Sequence, residues 1–333
     1  SLVCMGNKVN SDLLKGLAII AVVAIHSFSK TISSTPVNLF VDQLSRFAVP
    51  LFMALSGYGL TLSFSKNNNL IRFYVKRVWK ILPWFLAASV LILIYKNYFE
   101  RGTFDFFNYH TWTMIMRGGA DYHLYFVPNI LQLYLIFPLL FFLVKRFPKT
   151  ALLLALLWQV YWYWRISTGT EVLGNHNQIW PDQMQYVALQ TWILYFILGI
   201  YLAFKPMILA SKYLLLIVIV GFVLTFANAL ILKSSGIDML VATRFTRLPV
   251  ILYATGIILL GLSLNSRFYI LDSLGKYSFQ IYLLHTIVLR ILPSINPFIL
   301  TPLVLLLTFA LVKFILISIN VFTRPFAIFL RRS

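Results

Sequence analysis

The first candidate for chemistry is a histidine inside an apolar segment. The run SDLLKGLAIIAVVAIHSFS, residues 11–29, is apolar enough to enter a bilayer, yet it carries Lys15 and His26. In a helix that rises about 1.5 Å per residue, this spacing separates the two groups by roughly 16 Å. Lys15 would then lie at one membrane surface and His26 beyond the midplane. An ionisable side chain in hydrocarbon usually marks a functional site, although a histidine that only hydrogen-bonds a neighbouring helix is the alternative.

Other titratable groups are predicted at the same depth as His26. His285 lies late in the apolar segment YSFQIYLLHTIVL, Arg46 lies near the start of the second apolar segment, and Tyr122 and His123 open the fourth. Several such groups at one depth indicate a site more strongly than any one of them alone. The alternative for His285 is a packing residue.

The remaining histidines and the cysteine give no further site. His110 and His176 are interpreted as loop residues. The single cysteine, Cys4, excludes a disulfide within the chain. No segment contains a metal-binding motif such as HExxH, so no metal site is predicted.

A second candidate for chemistry is the basic run IRFYVKRVWKILPW, residues 71–84. On a helix, Arg72, Lys76 and Lys80 would share one face, with Arg77 adjacent and Lys15 reinforcing the cluster from the first apolar segment. Such a face could anchor the helix to anionic lipid. It could also bind the phosphates of a nucleotide-bearing donor, because Arg and Lys form charge-assisted hydrogen bonds. Both interpretations stay open at this point.

Composition indicates the elements that must position these groups. The chain has 333 residues, of which 60% are hydrophobic and 11% charged, and its mean hydropathy is +0.84. Long apolar runs that do not alternate indicate an integral membrane protein built from helices. We predict an all-α bundle and a single domain over residues 1–333. The ten predicted membrane spans are 12–29, 42–64, 78–96, 122–144, 151–166, 185–204, 212–232, 249–265, 270–291 and 298–321.

The charge distribution predicts the orientation of the bundle. The net charge is +19, which would otherwise indicate nucleic acid. With the N-terminus inside, most Lys and Arg residues fall in cytoplasmic segments, where only Asp12 and Asp272 are acidic. This follows the positive-inside rule and predicts an N-in, C-in protein with no nucleic-acid partner. The first span lacks a small-residue cleavage site and is expected to stay uncleaved. The outer loop 97–121 could be a lid over the membrane mouth or a plain connector.

Together these motifs resemble the membrane-bound acyltransferase-3 family, particularly its polysaccharide-modifying branch of the intercellular-adhesion type. The family has a basic residue, ten further residues and a histidine in its first span, which here are Lys15 and His26. Lysine in place of the usual arginine keeps the charge but loses the fork geometry. The resemblance continues in RFAVPLFMALSGYGL (46–60), FYVKRVWKILP (73–83), YHLYFVPNILQLYLIFP (122–138) and LGKYSFQIYLLH (274–285).

The resemblance implies a membrane O-acyltransferase of a bacterial plasma membrane. It would move an acetyl or another short acyl group from cytoplasmic acyl-CoA to a hydroxyl of an extracytoplasmic or membrane-linked glycan. Acyl-CoA would be the donor substrate, with no tightly bound cofactor, and membrane lipid would be the remaining partner. His26 would act as the catalytic base or be acylated itself, and Arg46 or Tyr122 would stabilise the thioester oxygen.

The remaining site residues are interpreted as substrate-binding. They are Lys15, Arg72, Lys76, Arg77, Lys80, His123 and His285. We expect His26 and His285 to face a common cavity, from which a polar passage leads to the basic face. The alternative function is a transporter or a flippase for a lipid-linked glycan precursor, which would also need intramembrane charges. Against it, the sequence shows neither paired interrupted helices nor a two-fold repeat of hydropathy.

Overall fold

The computed structural model describes residues 10–30, 35–101, 109–172, 188–205, 210–264 and 266–330. Within these ranges every regular element is helical and no strand occurs, which confirms the all-α fold class. A π-helical segment, Lys96–Arg101, and a 3₁₀ turn, Leu189–Thr191, accompany the α-helices. The α-helices are α1 (Ser11–Lys30), α2 (Pro36–Leu44), α3 (Ala48–Lys66), α4 (Leu70–Tyr95), α5 (Tyr109–Met116), α6 (Phe126–Arg146), α7 (Pro148–Val172), α8 (Ile193–Phe204), α9 (Ser211–Ser234), α10 (Met239–Ala242), α11 (Leu248–Ser263), α12 (Tyr269–Lys276), α13 (Ser278–Ile291) and α14 (Pro297–Leu330).

Length and composition identify the helices that can cross a membrane. Among the described residues, six helical segments are long and apolar enough: Ser11–Lys30, Pro36–Lys66, Leu70–Glu100, Phe126–Arg146, Ser211–Ser234 and Pro297–Ile319. Three shorter apolar helices, α8, α11 and α13, pack among them. The chain is therefore a polytopic helical membrane protein. The count of ten spans and the N-in, C-in orientation stay predictions.

The second predicted span, 42–64, contains a break between α2 and α3 at residues 45–47. Thr35 caps the start of α2, where its hydroxyl oxygen accepts the Asn38 N–H at 3.2 Å. Pro50 lies in the first turn of α3, where a residue without an N–H leaves no helical hydrogen bond unmade. Proline therefore favours a new helix start at this point, although the apolar pattern runs on without a gap.

The ninth predicted span, 270–291, is two helices, α12 and α13, which meet at Tyr277. The helix of the fourth span begins at Phe126, so Tyr122 and His123 lie in the turn that precedes it. His110, interpreted as a loop residue, belongs to α5, while His176 and residues 102–108 of the predicted outer loop lie outside the described residues.

Glycines bring α3 and α8 into backbone contact. A methyl group at Gly57 of α3 would meet the carbonyl oxygen of Phe196, and one at Gly199 of α8 would meet the carbonyl oxygen of Ala54. In a bilayer no hydrophobic force drives helices together, so close packing at small residues is a main source of association. The two glycines therefore fix α8 against the helix that follows Arg46.

Glycines fix α1 against α12 in the same way. A methyl group at Gly16 would meet the Leu271 backbone, and one at Gly275 would meet the Asp12 backbone. This contact lies beside Lys15 and holds the first turns of α1 in place. The rest of α1, including His26, extends from this fixed end.

Candidate active site

His26 of α1 lies in a group of aromatic and imidazole rings. Its ring stacks on that of His285 in α13, with centroids 5.2 Å apart and an interplanar angle of 26°. The Tyr122 ring lies edge-on to His26 at 4.9 Å, and the His123 ring lies 5.0 Å from that of His285. We call these four residues, His26, Tyr122, His123 and His285, the histidine centre. The structure thus brings together four residues that were expected at one depth.

A lysine one turn beyond His26 aligns α1 with α13. Lys30 Nζ donates to the carbonyl oxygens of Leu289 and Leu292, each at 2.5 Å. These carbonyls belong to the last turn of α13 and to its C-cap residue, Leu292, where a cation interacts favourably with the helix dipole. Because Leu289 follows His285 by one turn, as Lys30 follows His26, the contact holds the helices in the register that stacks the two rings.

The turn before α6 places Tyr122 and His123. Gly118 has a φ of 73°, a left-handed conformation that side chains disfavour. The N–H groups of Gly118 and Gly119 each donate at 2.8 Å to carbonyls of α5 and so close its end. A methyl group at Gly118 would also meet the Leu124 backbone. The glycine therefore allows the tight turn that sets Tyr122 and His123 against α1 and α13.

The hydrogen bond of His285 determines its tautomer. Its Nδ1 lies 2.7 Å from the carbonyl oxygen of Tyr282 and must carry the hydrogen that this oxygen accepts. Nε2 then keeps its lone pair, and it has no hydrogen-bond partner among the described residues. Tyr282 also donates its hydroxyl hydrogen to the carbonyl oxygen of His123. In its neutral form His285 therefore carries its hydrogen on Nδ1, and Nε2 is the nitrogen that can accept a proton.

Arg46 lies beside the histidine centre with its donors directed elsewhere. Its Nε lies 2.9 Å and its Nη2 2.5 Å from the two carboxylate oxygens of Asp42, four residues earlier. The guanidinium also lies 5.4 Å from the centroid of the Phe245 ring. It is near enough to His26 for its charge to act on that ring. The predicted oxyanion donor is therefore already paired with a carboxylate in this structure.

A cavity of about 210 Å³ lies at the end of the bundle that is predicted to face the cytoplasm. Four of its lining residues are cations and none of them is acidic; we call it the cationic cavity. Its cations are Lys15, Arg77, Lys80 and Lys276. Lys15 is also paired with Asp12 at 2.9 Å. The cavity is thus suited to an anionic ligand.

Two aromatic residues separate the cationic cavity from the histidine centre. Tyr282 and Phe126 line the cavity, with ring centroids 5.3 Å apart, and the Tyr282 ring lies 5.3 Å from that of His123. No histidine lines the cavity. Tyr282 therefore lies between the cationic cavity and His123, while the polar passage and the common cavity of His26 and His285 stay predictions.

A second, smaller cavity of about 140 Å³ is lined by the other cations of the basic run. Arg72, Lys76 and Arg77 line it, close to the start of α4, where the Asn69 side chain accepts the Arg72 N–H at 2.8 Å. The positive end of the helix dipole adds to their charge. The structure therefore divides the predicted basic face between two cavities, with Lys80 in the first and Arg77 in both.

Sequence reasoning missed a buried acidic residue beside the histidine centre. The side chain of Asp121 is 1% exposed, and its Oδ1 lies 3.0 Å from Lys96 Nζ and 2.8 Å from Arg290 Nη2. Arg290 is held in turn by Glu100 at 2.6 Å. Burial raises the pKa of Asp121, but His123, Lys96 and Arg290 outweigh burial and hold that pKa below its usual value. The carboxylate therefore stays ionised.

Two further residues were missed although the sequence carried a signal for each. Tyr282 precedes His285 by three residues, a spacing that puts both on one face of a helix. Lys276 lines the cationic cavity, and it lies in the segment 274–285, which the sequence analysis had already identified as a motif.

The arrangement of the histidine centre suits proton transfer. Three imidazoles are in mutual contact, and Tyr122, 49% exposed, forms the accessible side of the group. Among the described residues, no three His, Cys, Asp or Glu side chains are arranged to hold a metal ion. Neutral imidazoles can take a proton from a hydroxyl group and return it to a leaving group.

Comparison with known proteins gives one match. The family model of the acyltransferase-3 family, described as an acyltransferase domain, matches residues 8–322. No curated protein and no solved structure matches the chain significantly. The matched range contains every residue of the histidine centre and of both cavities.

Proposed function

The chain belongs to the acyltransferase-3 family of membrane acyltransferases, and on this premise we propose that it moves a short acyl group from cytoplasmic acyl-CoA to a hydroxyl group of a glycan. The glycan would be extracytoplasmic or membrane-linked, at a bacterial plasma membrane. The observation that carries this proposal is a cationic cavity and a histidine centre at different depths of one bundle, separated by Tyr282. Membership of the family favours this function over a transporter or flippase.

The two cation-lined cavities are the proposed donor site. Acyl-CoA carries several phosphate charges on its nucleotide end, and Arg and Lys bind phosphate through charge-assisted hydrogen bonds. Lys15, Lys80 and Lys276 line the larger cavity, and Arg77 joins it to the smaller one, where Arg72 and Lys76 lie. The headgroup is too charged to enter hydrocarbon, so it stays at this end of the bundle.

The thioester must extend from this site toward the histidines. The roughly 16 Å between Lys15 and His26 along α1 is comparable to the length of the pantetheine arm. Tyr282 and Phe126 lie across this route. The arm would therefore pass beside these two side chains to reach the histidine centre.

At the histidine centre, His26 is the proposed catalytic base. A sugar hydroxyl is a poor nucleophile at neutral pH, and an imidazole that removes its proton assists attack on the thioester carbon. The new ester C–O bond forms as the C–S bond breaks, and the proton passes from the hydroxyl to His26 and then to the CoA thiolate. Tyr122, and Arg46 when released by Asp42, are the proposed donors to the oxygen that gains negative charge.

The experiment is to incubate the purified protein in liposomes with labelled acetyl-CoA and a membrane glycan fraction. Release of free CoA together with label in an alkali-labile ester on the glycan is the expected result. If no label leaves CoA with acetyl, succinyl or longer donors, the proposal is wrong. Ping-pong kinetics would indicate that His26 is acylated first, whereas sequential kinetics would indicate direct transfer.

A further inference from the structure

The carboxylate of Asp121 uses its two oxygens differently. Oδ1 accepts hydrogen bonds from Lys96 at 3.0 Å, from Arg290 at 2.8 Å and from the backbone N–H of Tyr122 at 3.1 Å. Oδ2 has no hydrogen-bond partner among the described residues and lies 3.6 Å from His123 Nδ1. Both side chains are only 1% exposed. A buried carboxylate oxygen without a partner is costly, so its position beside an imidazole needs an explanation.

The partners of Oδ1 come from separate elements and fix the direction of Oδ2. Lys96 belongs to the π-helical segment after α4, and Arg290 belongs to α13, the helix of His285. Arg290 is itself held at 2.6 Å by Glu100. Because these contacts restrain the carboxylate from two sides, Oδ2 points steadily at the imidazole of His123. A small approach of the ring would complete a hydrogen bond from Nδ1–H to Oδ2.

Asp121 is the one carboxylate within 4 Å of a histidine of the centre in the described part of the chain. The groups that surround the His123 ring are Tyr122 on its own segment, His26 from α1, and Tyr282 and His285 from α13. Lys96 and Arg290 stand behind the carboxylate, and Arg46 adds a positive charge beside His26. A proton accepted by the imidazoles therefore has one nearby negative charge, on Asp121.

We propose that Asp121 is a positioning residue for the transfer reaction, which acts by orienting His123 and by balancing the charge of the histidine centre. This inference rests on the proposed function. With Nδ1–H held toward Asp121, neutral His123 keeps the lone pair on Nε2, which can then act as a base within the group of imidazoles. When the acceptor hydroxyl loses its proton to His26, the positive charge that forms is shared with His285 and His123 and is stabilised by the carboxylate. The proton then passes to the CoA thiolate, and the histidine centre loses its positive charge.

The test is Asp121→Asn, with Glu100→Gln as the matched control. In the asparagine variant, the amide oxygen can keep the hydrogen bonds with Lys96 and Arg290, so the NH₂ group points toward His123 Nδ1. Because NH₂ donates a hydrogen bond, it favours the tautomer of His123 that has no hydrogen on Nδ1. We expect kcat to fall at least about tenfold with an unchanged KM for acyl-CoA. The acid limb of the pH–rate profile should move about one pH unit lower, because the lost anion no longer favours the protonated imidazole.

Glu100→Gln removes the other carboxylate that is paired with Arg290, which is not in contact with the imidazoles. It should leave the acid limb in place, and melting curves of both variants report any general loosening of the fold. The inference is overturned if Asp121→Asn keeps the wild-type kcat and acid limb, or if both variants change kcat and the limb equally. In a His123→Asn background, Asp121→Asn should have a smaller effect on kcat than in the wild type, since its orienting effect acts through His123.

A second measurement needs neither activity nor a folded Asp121 variant. Solid-state ¹⁵N spectra of histidine-labelled wild-type protein in lipid report the tautomer of each ring, and His123→Asn assigns the signal. The inference requires hydrogen on Nδ1 of His123, and a bare Nδ1 with hydrogen on Nε2 would overturn it. If wild-type protein transfers no acyl group, the proposed function fails, while these spectra still test the contact between Asp121 and His123.

Discussion

At the level of single residues, the proposed transfer depends first on His26. Its ring is stacked on His285 and touches Tyr122, so an alanine removes the imidazole without disturbing a hydrogen bond to the rest of the described chain. His26→Ala should insert and express normally while acyl transfer falls by at least about two orders of magnitude, as expected for loss of a general base. The rate of CoA release from labelled acyl-CoA by equal amounts of folded protein checks this.

His176→Ala, a histidine predicted to lie in a loop, is the control and should keep wild-type turnover. Near-normal turnover of His26→Ala would remove His26 from the mechanism.

Some residues of the histidine centre could be predicted from the sequence, and others could not. Depth along the predicted helices was enough to bring His26, His285 and Tyr122 together, because residue number and helical rise determine depth. Asp121 was missed because its partners, Lys96 and Arg290, lie far away in the sequence and only the folded chain joins them. The ion pair of Arg46 with Asp42 was not anticipated either, although its i, i+4 spacing was readable.

At the element scale, the glycine contact between α3 and α8 gives a test with an internal control. Gly57→Ala would push a methyl group into the Phe196 backbone and should lower the melting temperature and the yield. Gly59→Ala, on the same helix, meets no atom within 4 Å and should stabilise the protein by up to about 1 kcal/mol through helix propensity. Equal melting temperatures for the two variants, in the same detergent, would show that the contact is absent.

The two cavities at the predicted cytoplasmic end allow a test of whether the basic residues of α4 bind the donor. Arg77 lines both cavities, so Arg77→Gln should raise the KM for acyl-CoA about tenfold or more, as expected for loss of a charge-assisted hydrogen bond. Lys80→Met should have a smaller effect of the same kind, and added salt should mimic both. Initial rates as a function of acyl-CoA concentration separate KM from kcat.

Lys145→Met is the control, because Lys145 is an exposed cation in the last turn of α6 that lines neither cavity. If Arg77→Gln changes expression or orientation but leaves KM at the wild-type value, the basic run anchors α4 to lipid instead.

The elements themselves were predicted better than their interruptions. Apolar runs locate helices because the bilayer demands about 20 apolar residues per crossing. The break between α2 and α3 and the division of the ninth span at Tyr277 occur within continuous apolar patterns, so hydropathy does not reveal them. The contact between Tyr282 and Phe126 at the cationic cavity was also unpredictable, because it depends on how α13 packs against α6.

At the scale of the whole molecule, the charge distribution predicts orientation. In a variant without Cys4, single cysteines replace Ser235, predicted to face outward, or Lys149, predicted to face the cytoplasm. A membrane-impermeant maleimide added to intact cells should label Ser235→Cys and spare Lys149→Cys, which it should reach only after lysis. Labelling of Lys149→Cys in intact cells would contradict the N-in, C-in orientation.

In the proposed mechanism, one protein takes an acyl group from a donor on the cytoplasmic side and delivers it across the histidine centre. The most direct measurement uses inside-out vesicles from cells that express wild-type protein or His26→Ala, with labelled acyl-CoA added outside. We expect alkali-labile label on glycan enclosed within the wild-type vesicles and little label with His26→Ala. No label should form in right-side-out vesicles, where the donor cannot reach Lys15 and Arg77. Equal labelling of wild-type and His26→Ala vesicles, or labelling in right-side-out vesicles alone, would contradict it.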